Sequence, residues 1–206
     1  MFKKKPVLIA ALACLCCLLF AAYAFFIQKD ANMVDENGMM EIYQALFLLM
    51  AGISFAVQSL KTSAMNRVLT IFLSLLSLSM MHREVETAGL NVPDFVHTFF
   101  LSSNRYILIV PTLLLLVYLF YKIPYFWRNR SHILSKPTTL ILFIGILCYL
   151  VLNEFFENGL FTGIYDIFFE EGVEMIGATL FFIASFFIVE DYRWMGVEDE
   201  TPRNLS

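Results

Sequence analysis

The chain has 206 residues, 59% of them hydrophobic and only 16% charged, with a formal net charge of −4 and a mean hydropathy of +0.72. This apolar excess is more than a water-soluble domain can hide, which leaves lipid as the surroundings. The expected partners are therefore the bilayer itself and whatever small molecule or lipid the chain handles there, not nucleic acid.

A helix crosses the roughly 30 Å hydrocarbon core with about 20 largely apolar residues, because each backbone polar group must then be paired within the segment. Six stretches qualify: residues 6–27, 39–60, 68–86, 104–123, 137–156 and 172–190. The connections are short, so residues 1–206 read as one integral membrane domain. The expected fold is all-α, a polytopic six-helix transmembrane bundle.

In chain order, the first stretch follows Lys3, Lys4 and Lys5 and contains "AAYA", which also fits a secretory signal cleaved after Ala24. Its apolar run is longer than the usual signal core, which favours a retained helix. Cys14, Cys16, Cys17 and Cys148 all fall in apolar stretches, where a thiol packs as a small hydrophobe. The second stretch opens with Glu41 and Gln44, three apart and so on one helix face. The third has an apolar run, residues 68–81, rising only about 21 Å at 1.5 Å per residue. Either "HREVE" (82–86) carries the helix into the outer leaflet, or the helix borrows from "KTSAMNR" behind it. In the first case His82, Arg83 and Glu84 lie at membrane depth, where ionisable groups mark sites or pathways. The serines of "SLLSLSMM" read as interhelical hydrogen-bonding groups.

His97, in "NVPDFVHTFFLSS", is placed on a short interfacial helix before the fourth stretch. Glu154 and Glu157 close the fifth. Glu170, Glu171 and Glu174 open the sixth, where Gly177, Ala178, Ala184 and Ser185 allow close approach to a neighbour.

Lysines and arginines in short loops stay cytoplasmic. Eleven of fourteen (Lys3, Lys4, Lys5, Lys61, Arg67, Lys122, Arg128, Arg130, Lys136, Arg193, Arg203) fall on one side, leaving Lys29, Arg83 and Arg105 on the other. Both termini are thus expected in the cytoplasm, in a bacterial-type inner membrane. Thirteen acids lie outside (Asp30, Asp35, Glu36, Glu41, Glu84, Glu86, Asp94, Glu154, Glu157, Asp166, Glu170, Glu171, Glu174), so with three basic residues the outer face carries −10. Insertion does not require this, since the topology rule gives acids little weight.

Helical spacing pairs His82 with Glu86, Glu154 with Glu157, and Glu170 with Glu174, all at outward helix ends. If those ends converge, Glu41, His82, Glu86, Glu154, Glu157, Glu170 and Glu174 are candidate ligands for a divalent metal ion, with Arg83 and Arg105 as charge partners. Oxygen donors with one imidazole suit Mn, Fe, Zn, Ca or Mg. No His-x-x-x-His, His-Glu-x-x-His or Cys-x-x-Cys occurs, which argues against a zinc hydrolase with the usual ligands. "EEGVE" (170–174) resembles, over five residues, the Arg-Glu-Gly-Leu-Glu element of the iron permeases, whose glutamates bind ferric iron in the membrane. The arginine is absent here, and "REVE" (83–86) is one residue short of a second copy. Three functions are compatible with this pattern: a small transporter or divalent-cation-binding protein, a membrane-embedded enzyme acting on a lipid or lipid-linked substrate through glutamates, and a non-catalytic membrane partner subunit with an acidic docking face. No internal repeat is evident, which weighs somewhat against the transporter.

Overall fold

The computed structural model describes residues 4–29, 38–62, 64–85, 93–101, 104–157 and 163–192. The described residues are helical and include no strand. The helices are α1 (Lys4–Ala22, continued by a π-turn at Tyr23–Ile27), α2 (Met39–Leu60), α3 (Ala64–Glu84), α4 (Asp94–Phe100) and α5 (Tyr106–Tyr121). They are followed by α6 (Ile123–Arg128), α7 (Arg130–Leu134), α8 (Pro137–Leu147, continued by a π-turn at Cys148–Leu152), α9 (Asn153–Glu157) and α10 (Ile164–Tyr192).

Five segments are long and apolar enough to cross a membrane: Lys5–Ile27, Met39–Leu60, Met65–Glu84, Pro137–Phe156 and Ile164–Ile188. The fourth expected span is the shorter apolar helix Tyr106–Tyr121, rising only about 24 Å at 1.5 Å per residue. It carries Pro111, which lacks the N–H that would bond back to Ile107. Thr112 Oγ1 gives its proton to Leu108 O at 2.6 Å beside this gap. The third span reaches its length from both ends, starting in the former loop at Ala64 and running on through His82 and Arg83 to Glu84.

α10 is the hub. Its apolar window is 72% buried, against 17% for the first span, and it packs on α1, α2, α3 and α8. Small residues permit this. Gly145 of α8 and Gly177 of α10 face each other so closely that a Cβ on Gly177 would lie 3.1 Å from both Gly145 O and Tyr149 Cβ. α2 and α3 meet at Gly52, whose carbonyl accepts from Ser74 Oγ at 2.8 Å. Ser79 and Thr112 hydroxyls, 3.3 Å apart, link α3 to α5. Ser74, Ser79 and Gly177 thus make the interhelical contacts expected of them, whereas Ser77 and Ser185 donate within their own helices, to Leu73 O and Phe182 O. At the other end of α10, Asp191 accepts from Thr138 Oγ1 at 2.6 Å and Thr138 N at 3.3 Å, capping the first turn of α8.

The bundle exterior is apolar: Leu60, Tyr121, Ile27, Val117, Leu114 and Trp127 are all exposed. Such a surface belongs in lipid rather than water. α1 is packed into the bundle, with Ala10, Ala21 and Ala24 buried. α10 begins at Ile164, eight residues before Gly172. Gly163, with φ +65, sets up its first turn, and Phe168 stacks on Phe25 of the α1 π-turn with ring centroids 4.4 Å apart. The aromatic residues of 164–171 therefore have an apolar face to bury, and the glutamates are carried inside the helix.

Candidate functional site

This shift at the start of α10 changes what its glutamates mean. Acids in a first turn favour the helix dipole, but the first-turn acid is Asp166. Glu171 and Glu174 stand about 10 and 15 Å along the helix from its start at Ile164, at 1.5 Å per residue. Glu174 is buried, with 3% of its surface exposed.

Four elements meet around it. Arg83, near the end of α3, donates from Nη2 to Glu174 Oε1 and from Nε to Glu84 Oε1, the latter at 2.8 Å. Asn153 Nδ2, at the start of α9, donates to the same Glu174 oxygen at 2.8 Å. Tyr149 hydroxyl, in the π-turn between α8 and α9, donates to Glu84 Oε1. The Tyr149 ring lies under the guanidinium, with Arg83 Cζ 4.8 Å from its centroid. Asn153 N–H bonds back to Cys148 O in this turn. The wider turn lets Tyr149 and Asn153 both reach across to α3 and α10, a use of π-turns common at functional sites. The Gly145–Gly177 contact fixes the distance, since it presses α10 against the Tyr149 backbone.

A second group adjoins the first. Gln44 of α2, fully buried, donates from Nε2 to the main-chain carbonyl of Glu171 at 3.1 Å and to its Oε2. Its own Oε1 has no hydrogen-bond partner among the described residues. Glu41, one turn earlier and half-buried, lies within electrostatic reach of Glu171, as do Glu84 and Glu174. The charge count is therefore uneven: one arginine serves Glu84 and Glu174, and no described ion pair serves Glu171.

Of the seven candidate ligands, Glu174 is at the centre and Glu41 at its edge. His82 is adjacent to Arg83 in sequence but faces the other way: its Nε2 meets Phe99 O at 2.7 Å, and its ring packs on Phe99 and Phe100. It thereby docks α4, the short helix that carries His97. Glu154 is exposed and its backbone N–H bonds Asn153 Oδ1 at 2.8 Å. Glu170 is half-buried beside the cluster's two α10 members in sequence. Glu157 ends α9, though its side chain, like Glu86 as a whole, lies outside the described residues. Arg83 is a charge partner as expected, while Arg105 makes no ion pair among the described residues and has a buried, unpartnered Nε. No group of three or more His, Cys, Asp or Glu among the described residues is disposed to hold a metal ion. Charge bookkeeping passed over Tyr149 and Asn153, and noted Gln44 only as the helical neighbour of Glu41. Their signal was polarity in an apolar span, since a buried amide or phenol must find a partner. Comparison with known protein families, curated proteins and solved structures finds no match.

Proposed function

We propose that this chain is a six-span inner-membrane protein with both termini cytoplasmic, whose outward-facing acidic pocket binds a cation, in the manner of a small transporter or divalent-cation-binding protein. The sidedness rests on the loop lysines and arginines. The retained first helix is supported by the packing of α1 on α10 and α8. One observation carries the binding: Glu171 and Glu174 occupy a largely buried polar cluster whose carboxylates outnumber its single guanidinium. Uncompensated charge within a span costs at least about 2.5 kcal/mol on insertion scales, so a cation that offsets it binds favourably.

The test is a thermal-stability screen of the purified protein in detergent against Mn, Fe, Zn, Ca and Mg salts, with a monovalent salt at matched ionic strength. A binding cation stabilises by about 2.7 kcal/mol at 100 times its dissociation constant. No divalent cation exceeding the monovalent control would overturn the reading.

A second reading has its own support. A lateral apolar opening of about 190 Å³, lined by Cys16, Cys17, Phe20, Tyr43, Phe47 and Met175, separates α1 from α2. This apolar slot between helices with exposed apolar faces favours an enzyme drawing a lipid or lipid-linked substrate from the bilayer.

A further inference from the structure

We propose that the short helices α6 and α7 form a docking surface for anionic phospholipids, lying flat on the bilayer with Ile123, Trp127 and Leu134 turned into it and Lys122, Arg128, Arg130 and Lys136 meeting the phosphates. This surface is at the opposite end of the bundle from the acidic cluster and is independent of what that cluster binds.

Between Asp94 and Glu154 the chain carries no acid at all. Inside that stretch, residues 122–136 hold Lys122, Arg128, Arg130 and Lys136, a formal charge of +4 with histidine neutral. Sidedness explains the basic residues but not the missing acids, to which the topology rule gives little weight. None of the four cations makes an ion pair among the described residues. Asp191, which lies at the same end of the bundle, is buried and accepts from Thr138. A surface of four basic residues beside a transmembrane helix on the cytoplasmic side is complementary to anionic lipid.

The two helices are also two-faced. Tyr125, Phe126 and Ile133 pack against the bundle core, and the buried Asn129 donates from Nδ2 to Tyr125 O at 3.2 Å between them. On the other side Trp127 is 68% exposed and Leu134 66% exposed, with Ile123, Arg128 and Arg130 exposed beside them. Apolar and basic groups alternating on one face are what a segment in the headgroup plane presents, and tryptophan is enriched at that depth. The cations are held at the same level. Arg130 Cζ lies 5.1 Å from the Trp127 ring centroid and its Nη1 donates to Trp127 O at 3.2 Å. Lys122 Nζ lies 5.6 Å from the Tyr121 ring and 5.7 Å from the Tyr118 ring. A nucleic acid or acidic protein would meet the same charges but leave Ile123, Trp127 and Leu134 in water, whereas an anionic bilayer surface takes up both.

Trp127 is itself the probe. The chain has two tryptophans, so Trp194→Phe leaves Trp127 alone. The full-length protein is reconstituted into phosphatidylcholine vesicles containing either brominated phosphatidylglycerol or brominated phosphatidylcholine, and quenching of Trp127 fluorescence gives the relative affinity of the two lipids beside it. A basic residue near an anionic surface strengthens attraction roughly fivefold, so phosphatidylglycerol should be preferred about fivefold or more at low salt. The preference should shrink at 0.5 M salt, where the Debye length falls to about 4 Å. Arg128→Gln with Arg130→Gln, both at exposed positions, should bring it to within twofold of unity while circular dichroism and quenching by phosphatidylcholine are retained. Equal quenching by both lipids overturns the proposal, as does a preference that survives the double substitution. Absence of quenching by either lipid puts the face in water, open to a soluble polyanion, and overturns it too.

Discussion

Replacing Arg83 by Gln removes the guanidinium that Glu174 and Glu84 share, and the cost can be bracketed from exposure. Breaking a fully buried ion pair from one side costs about 3–5 kcal/mol because a charge is left stranded. Exposed pairs are worth about 0–1 kcal/mol. The pair here is mixed, with the Glu174 side chain 4% exposed and the Arg83 side chain 45% exposed, so Arg83→Gln should cost about 2 kcal/mol. Glu174→Gln should cost less, about 1 kcal/mol, since Arg83 keeps Glu84 and the Tyr149 face while the new amide still faces Asn153. In the double variant no charge is stranded at position 174, so the two losses should fall short of adding by about 1 kcal/mol. Equilibrium unfolding in mixed micelles, followed by far-ultraviolet circular dichroism, measures all three. Losses that add to within about 0.3 kcal/mol, or a larger loss for Glu174→Gln than for Arg83→Gln, would refute the pairing.

Tyr149→Phe keeps the ring under Arg83 but deletes the hydroxyl bound to Glu84, for an expected loss of about 1.5 kcal/mol in the same assay. Gly177→Ala drives a methyl to 3.1 Å from Gly145 O and Tyr149 Cβ and should cost about 1–3 kcal/mol. Gly172→Ala, whose nearest neighbour would be Met40 Cε at 3.9 Å, should stay within about 0.5 kcal/mol of wild type. His82→Leu removes the bond to Phe99 O. Amides of Asp94–Phe100 should then exchange faster with solvent while those of Met39–Leu60 are unchanged, and equal acceleration in both would show that His82 holds the whole bundle rather than α4.

Apolar runs were the legible part of the fold. The bounds expected for α2, 39–60, are those observed, and the break at Pro137 marks the start of α8, because length and proline leave few alternatives. The start of α10 was masked because hydropathy averages the acids of 164–171 with the aromatics beside them, whereas folding separates them onto two faces, Phe168 inward and Glu170 half-exposed. The site was legible only as an excess of outside acid. Neighbours in sequence point about 100° apart on a helix, so His82 and Arg83 serve different partners. Which face each presents depends on α4 and α10, and spacing within one helix does not rank those pairings. Of the residues that orient the carboxylates, Gln44 was visible only as the helical neighbour of Glu41, while Tyr149 and Asn153 are neutral and escaped a search guided by charge.

The most direct test of an outward-facing acidic pocket is the side from which its mouth can be reached. In a background with Cys14, Cys16, Cys17 and Cys148 replaced by alanine, Glu41→Cys and, on α7, Ser131→Cys each supply one thiol. A membrane-impermeant maleimide is added to intact spheroplasts and again after permeabilisation. The Glu41→Cys protein should label in intact spheroplasts and the Ser131→Cys protein only once the membrane is opened. Labelling of Glu41→Cys only after permeabilisation, or of both from the same side, would contradict it.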